Sequence, residues 1–432
     1  MAHAERTDVG VIGGGLGGLL AATALAKAGR RVVLLERSSR LGGRAISQRL
    51  DSGHVFNLGP HALYLGGPAV AWLEQLGVKP AGGVARGSGS TMLEGGQLHT
   101  MPTGPVSLLT SGLLRGAGRL EFARLLTRAP RMTASPSQTV EEWLEAEVRH
   151  PEVRGVVRAL LRLATYSCES DALSASVAVG QLRLALKGNL YADGGWQVTV
   201  DALARMAEAS GVALRTGAAV RAVEADGSGV VVRTSDGAIL EATAALLVVP
   251  PKEAVALLSG AARDELAASV QRLRPVRAAC LDLALSGLPR PNHLFTLGVD
   301  QPLYGSVHSA YGRLAPKGGA MVQLAKYLRG GEDGAPALTE LEALMDLWQP
   351  GWRERVVERR FLPSMTVSWA LPTADGNGLE GRPSGRLASA PGLLLAGDWV
   401  GPRGWLLDAV AASAAAAVDA ILAQRRPGEA AA

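Results

Sequence analysis

The chain has 432 residues, 47% of them apolar and 19% charged, which allows two domains and a sizeable core and argues against wholesale disorder. Its 54 glycines follow no Gly-X-Y period, which excludes collagen and points to clustered tight turns. Lys and Arg outnumber Asp and Glu by 44 to 39, with 38 of the 44 being Arg. Because no basic run is interleaved with aromatics, this weak excess predicts no nucleic-acid partner.

A polar lead, Met1 to Thr7, passes without a signal-peptide core into a β-type run, Asp8 to Ile12. Gly13-Gly-Gly15-Leu16-Gly17-Gly18 follows, and Leu19, Leu20, Ala22, Leu25 and Ala26 then form a helical stripe up to Gly29. A second buried strand, Arg31 to Leu35, ends at Glu36. Strand, glycines, helix, strand and acid together make a dinucleotide-binding βαβ unit. In it Gly13 permits the tight turn, Gly15 lets the backbone approach a pyrophosphate, and Gly18 lets the helix pack on the strand. The helix start at Leu16 and Gly17 presents free N–H groups to phosphate, and Glu36 accepts from the adenosine ribose hydroxyls.

The next residues, Arg37-Ser-Ser-Arg-Leu-Gly42-Gly43-Arg44, resemble the second glycine motif of the flavin-containing amine oxidase and phytoene desaturase superfamily. The resemblance implies that Gly42, Gly43 and Arg44 lie against the pyrophosphate of FAD. Phe56-Asn-Leu-Gly59-Pro60-His61 looks like the family's next segment, which runs beside the isoalloxazine ring. The turn-rich stretch Gly82 to Gly89 reads as a hinge or turn. Between Pro105 and Met132, leucines recur amid Arg115, Arg119, Arg124, Arg128 and Arg131, with Glu121 the one acid. A basic amphipathic helix or helix pair is expected there, either covering its own domain or making peripheral contact with an anionic membrane through residues 105–132.

Further along, a helix over Val198 to Ser210, a strand over Val212 to Thr216 and the segment Val220 to Val223 return the chain to the nucleotide domain, and the resemblance brings the Val220 backbone to the adenine. Leu246 to Val249 reads as a buried strand closing that block. Near the end, the strand Gly392 to Leu395 leads to Gly397-Asp398-Trp399, and a small-residue helix starts near Gly404-Trp405-Leu406 and reaches about Gln424. This is similar to the family's C-terminal flavin motif, in which the matching Asp398 bonds the ribitol or pyrophosphate and the helix start faces the flavin pyrimidine ring. The tail from Arg425 to Ala432 is expected to fray.

The implied fold is α/β: a discontinuous Rossmann-like FAD-binding domain of the GR2 type (1–65, 189–251 and 390–432) with an inserted α+β substrate-binding domain (66–188 and 252–389). Covalent attachment of the flavin through a C-terminal cysteine has no support, since Cys280 is the last cysteine, so FAD is expected to be non-covalent. Cys168 and Cys280 have neither disulfide nor metal-ligand spacing, and a reducing cytoplasm and no metal are expected. The longest small-apolar stretch, Ala409 to Val418, is too short to span a membrane.

Amine oxidases commonly carry a lysine that holds a water near flavin N5, at a position aligned here near Ala279, and a pair of aromatics around the amine. No lysine occurs nearby, and Trp405 has no clear second member. The expectation is therefore an FAD-dependent oxidoreductase that takes hydride from a hydrophobic, alkene-containing small molecule, by desaturation or redox-neutral isomerisation. An electron acceptor or oxygen would reoxidise the flavin. His61, the titratable side chain nearest the expected ring, and Trp405 are the catalytic candidates. An amine or amino-acid oxidase with an atypical site and a flavin-less lipid- or prenyl-binding protein on the same fold are the alternatives.

Overall fold

The structure, a computed structural model, describes residues 4–424 apart from Arg86, Ser88 and Ser228. The start of the polar lead, part of the Gly82 to Gly89 turn and the tail Arg425 to Ala432 lie outside the described residues.

Side-chain alternation in the first strand, Glu5–Ile12, sets up the central layer. Val9 and Val11 point to one side and Ile12 to the other. In Val32–Leu35 the same split separates Val32 and Leu34 from Val33 and Leu35. Both sheet faces are thus apolar and both must be covered. The two strands run in parallel, flanked by Ala213–Arg215 and by Ile239–Leu247, and the latter also pairs in parallel with Leu393–Leu395. Val220–Ala225 and Val230–Thr234 add antiparallel strands, giving a seven-stranded sheet among the described residues. Helices Leu16–Lys27, Trp196–Ala209, Leu407–Leu422 and Pro68–Gln75 cover one face. Ala254, Leu258 and Leu266, from or beside the helices Pro251–Ala256 and Gly260–Val270, cover the other. This is the Rossmann-like arrangement expected from the sequence.

A second seven-stranded sheet runs in the order Val356–Ser368, Val276–Leu285, Ala320–Leu328, Leu303–Val307, Phe295–Gly298, Ser90–Glu94, Gln97–Thr100. Its neighbours are antiparallel except Phe295–Gly298 with Ser90–Glu94. Alternation again decides the layers: Leu281 and Leu283 pack with the helix Ala337–Trp348, and Ala278 and Cys280 join the core formed with the helices Val140–Glu147, Pro151–Thr165 and Ala175–Ala185.

This sheet also grips the segment that leads to the site. The Arg360 guanidinium donates to the Asn57 carbonyl and pairs with the buried Asp282 carboxylate at 2.5 Å, and Gln323 Nε2 donates to the Gly59 carbonyl at 2.8 Å. Burial pushes the Asp282 carboxyl up to about 6, with the Arg360 charge opposing that rise.

One expectation is corrected here. Gly82–Val84 is a strand paired with Asn189–Ala192 rather than a hinge. A Cβ on Gly82 would come within 2.1 Å of the Tyr191 carbonyl oxygen, so glycine serves close strand approach. In the strand Val276–Leu285, Ala279 faces Leu328, Ala337 and Phe361, and Cys280, one residue on, turns towards Gly59.

The 105–132 stretch forms two helices, Pro105–Thr110 and Gly116–Arg128. Leu113, Leu114, Phe122 and Leu125 are buried in the core of the second domain.

Candidate functional site

A cavity of about 740 Å³ runs between the first sheet and the second domain, a size within the range typical of ligand pockets. One end is built from the first fifty residues. Gly42 N donates to Gly14 O at 2.8 Å, so the two glycine motifs are stitched together through their backbones. Gly13, Gly15, Leu16, Gly17, Gly42 and Gly43 line the cavity. A Cβ on Gly15 would find no atom nearer than 3.9 Å, so the glycine backbone stands against open space. Gly18 has the opposite reason to be glycine: it does not line the cavity, and its Cβ would lie 1.9 Å from Gly13 O. The helix that follows has Gly15 as N-cap, no side-chain cap and no acid in its first turn, which leaves its N–H groups free for an anion.

Glu36 lines this end, its Oε2 accepting from Gly14 N at 2.7 Å and its Oε1 from Ser38 N at 2.8 Å. Val220 and Ala219 stand beside it, and Arg37 pairs with Glu253 at 2.9 Å. In the middle, Arg44 Nη2 lies 3.0 Å from Asp398 Oδ2, and Gly397 and Asp398 both line the wall. The Asp398 side chain is only 2% exposed, and its Oδ1 is buried without a partner among the described residues. A buried acceptor left in that state calls for a donor from a ligand. Arg382, which the sequence reading missed, fixes this loop by donating to the carbonyls of Asp398, Arg403 and Gly404 at 3.0–3.1 Å.

The far end gathers Pro60, His61, Tyr64, Tyr166, Trp196, Met365, Leu406 and Asp408. His61 Nδ1 lies 3.0 Å from Gly59 O. A carbonyl only accepts, so Nδ1 carries the proton. Burial holds the His61 pKa below its usual value, which keeps the ring neutral, and the ring meets Trp196 edge to face at 4.8 Å.

Tyr166 adopts φ 57°, ψ 21° at the end of the helix Pro151–Thr165. This left-handed conformation costs an ordinary residue about 1–2 kcal/mol. The helix end is held from outside: Tyr64 OH donates to Ala164 O at 3.1 Å and Trp405 Nε1 to Thr165 O at 3.2 Å, satisfying carbonyls that a helix terminus leaves free. Tyr166 then meets Tyr327 edge to face at 5.9 Å. Burial raises the pKa of both Tyr64 and Tyr166, so both phenols are neutral. Asp408, in the first turn of Leu407–Leu422, accepts from Ala69 N at 3.0 Å. Burial pushes its carboxyl up to about 6, against the lowering effect of that hydrogen bond.

Two candidate residues move. Trp405 does not line the cavity; it is 2% exposed, packs in the second-domain core and uses its N–H on Thr165, so it is a structural clamp. Gly59 lies behind the wall, its carbonyl taken by Gln323 and His61. The sequence reading missed Tyr64, Tyr166, Trp196, Met365 and Asp408, which come from separated segments. The one signal for part of this set was scarcity: the chain has six tyrosines, and two of them stand on the cavity wall.

A dinucleotide fits these residues. The cavity is long, its glycine backbones open on to it, an uncapped helix start and Arg44 face the middle, and Asp398 Oδ1 awaits a donor. Neither free cysteine lines it. Among the described residues there is no group of side chains suited to hold a metal ion, and no helix is long and apolar enough to cross a membrane.

Comparison with known proteins gives the chain its relatives. A family model described as flavin containing amine oxidoreductase matches residues 16–284. A Mycobacterium tuberculosis protein provisionally named flavin-containing monoamine oxidase AofH is 28% identical over 274 residues, covering 58% of this chain and 58% of that protein. The chain therefore spans a little over half the length of that relative. Human protoporphyrinogen oxidase is 39% identical over 115 residues, 24% of each chain. The carotenoid 3,4-desaturase of Haloarcula japonica is 50% identical over 60 residues, 14% of this chain and 12% of that one. Among solved structures, an oxidoreductase from Methanosarcina mazei superimposes with a TM-score of 0.74 at 20% identity, covering 95% of this chain and 100% of that one. Putrescine oxidase bound to putrescine gives 0.71 at 18% identity, with 98% and 100% covered; at these identities the likeness shows the fold.

Proposed function

The chain belongs to the flavin-containing amine oxidoreductase family, so its cofactor is FAD, and we propose that it oxidises or isomerises a neutral, lipophilic, alkene-containing small molecule. The observation that carries this reading is the character of the far end of the cavity. His61, Tyr64 and Tyr166 are held neutral there by burial, and Trp196, Met365, Leu63, Val70 and Leu406 complete an apolar wall. No lysine lines the cavity. The one carboxyl at this end, Asp408, accepts from Ala69 N with one oxygen and leaves the other buried without a partner among the described residues. Apart from that single oxygen, such a wall stabilises an uncharged hydrocarbon by burial and offers an ammonium group little compensation for lost hydration.

FAD, when bound, supplies the hydride-accepting chemistry. We assign the adenosine end to Gly13, Gly15, Glu36 and Val220, and the phosphates to the helix start at Leu16 and Gly17, with Gly43 and Arg44. Asp398 takes the ribitol region, and the flavin is held without a covalent bond. For desaturation a proton must also leave the substrate, and His61, a neutral imidazole on the cavity wall, is the acceptor this site offers. The supporting relatives are mixed: one is named for a carotenoid desaturase, one for protoporphyrinogen oxidase and one for an amine oxidase.

The test is spectroscopic. Purified protein should be yellow and contain FAD released by heat denaturation. Under anaerobic conditions its flavin bands should bleach with a polyene or other lipophilic alkene panel and stay unbleached with primary amines and amino acids. Bleaching by amines alone would overturn the substrate class, and a colourless protein that FAD cannot reconstitute would favour a lipid-binding role on the same fold.

A further inference from the structure

We propose that the helix pair Pro105–Thr110 and Gly116–Arg128 docks the protein on an anionic lipid bilayer. Five arginines against one glutamate in residues 105–132 give this short stretch a charge of +4, while the whole chain carries +5. The acid is turned inward: the Glu121 carboxylate accepts from Arg149 N at 2.8 Å, from His150 N at 3.0 Å and lies 2.7 Å from His150 Nδ1. Arg128 pairs with Glu147 at 3.4 Å and Arg119 donates to Ser111 O at 3.2 Å. Arg115, Arg124 and Arg131 remain exposed, with no ion-pair partner among the described residues.

Apolar side chains of the same stretch are exposed too. Val106 is 75% exposed, Leu109 68% and Leu120 54%, and Leu126 also reaches solvent. Val106 and Leu109 are three residues apart on one helix and so share a face. A helix pair that only covered its own domain would be polar on its outer side. Here the inner side is already complete, with Leu113, Leu114, Phe122 and Leu125 buried in the core, so the outer leucines and valine have no packing task within the chain.

Exposed apolar side chains and exposed guanidinium groups without ion-pair partners on one helix pair complement a bilayer surface. The apolar tips enter the boundary between headgroups and acyl chains, and the arginines meet lipid phosphates. This surface stands on its own residues and does not depend on the flavin chemistry; the proposed lipophilic substrate gives it a use, since such a molecule concentrates in membranes.

The experiment is co-sedimentation of the holoprotein with sucrose-loaded vesicles of phosphatidylcholine alone or of equimolar phosphatidylcholine and phosphatidylglycerol, read by protein gel and by flavin absorbance. The protein should pellet with the anionic vesicles, stay in solution with the neutral ones, and be released by raised salt. Each basic residue near an anionic surface multiplies partitioning about fivefold, so Arg115→Gln, Arg124→Gln and Arg131→Gln combined should lower it about a hundredfold. Val106→Ser, Leu109→Ser and Leu120→Ser combined should also lower it, at unchanged salt dependence. All six positions are exposed, and an unaltered far-ultraviolet circular dichroism spectrum verifies folding. Equal pelleting with both lipids, no pelleting with either, or parent-like binding by the charge-neutralised variant would overturn the proposal. Vesicle binding by a protein that proved colourless would sink the flavin assignment and leave the docking surface standing.

Discussion

Near Glu36 the cavity is walled largely by backbone. Gly15 stands against open space, a helix presents uncapped N–H groups, and a carboxylate is aligned by Gly14 N and Ser38 N. Near Tyr166 it is walled by side chains from segments about 60, 165, 196, 365 and 406 residues into the chain. The first end recognises a shape common to every extended dinucleotide, for which local backbone geometry suffices. The second end must match one substrate, and only side chains brought together by the fold can do that.

The sharpest way to break this contrast is to add a side chain at Gly18, inside the first helix turn, and separately at Gly15, its N-cap. In an ordinary helix Gly→Ala gains about 1 kcal/mol. Gly18→Ala should instead lose more than about 3 kcal/mol and lower the melting temperature by several degrees, because the new carbon meets a carbonyl oxygen of the backbone at 1.9 Å. Gly15→Val adds its side chain to open cavity, so the urea midpoint of flavin-stripped protein should hold while FAD content falls at least about tenfold. If both variants behave alike, the division between folding glycine and binding glycine is wrong.

Asp398→Ala comes next in size. Losing a hydrogen bond to a charged group costs roughly 1.5–3 kcal/mol, so equilibrium dialysis should show FAD affinity lowered about ten- to hundredfold. Unchanged affinity would remove Asp398 from the cofactor site.

Asp408→Asn probes the boundary between the two ends through pH. Burial pushes the folded carboxyl up to about 6, above the ordinary aspartate range. The folded state therefore holds its proton more tightly than the unfolded state, and the parent loses stability as pH rises from about 4 to about 6. An amide keeps the acceptor for Ala69 N and has no such loss. The variant should melt with the parent near pH 4 and above it at pH 7, by an amount of up to about 3 kcal/mol. Thermal melts at both pH values decide it, and a constant offset would show that the Asp408 charge is not strained by burial.

The same contrast explains what could be read from the sequence. The βαβ unit was legible because each of its residues acts on neighbours close in the chain: Gly13 turns, Gly18 packs and Glu36 ends the adjacent strand. The C-terminal motif at Gly397 and Asp398 was legible through its order after the glycine motifs. Trp405 was misread because nearness in sequence to that motif says nothing about ring direction; the fold turns it into the second domain, where Thr165 takes its N–H. Tyr166 was invisible because its position depends on a helix end held by Tyr64 and Trp405, residues about 100 and 240 positions away. At Ala279 and Cys280 the faces were not legible either: in a strand one residue is a change of face, and only the packed structure shows which of the two turns towards Gly59.

Tyr166 allows the finest separation of the two ends. A left-handed backbone is easier for glycine than for tyrosine, so a tyrosine at this helix end is better explained by its side chain than by its backbone. Tyr166→Phe keeps the ring, its edge contact with Tyr327 and the backbone conformation, and removes one hydroxyl. FAD content should stay the same and the melting temperature should move by no more than about 0.5 kcal/mol equivalent. With the alkene that bleaches the parent flavin, the apparent KM should rise severalfold if the phenol orients substrate, while Tyr166→Leu should disturb kcat as well by loosening the wall. A loss of FAD from the phenylalanine variant would mean that the phenol supports the cofactor, and the two ends would then have to be treated as one site.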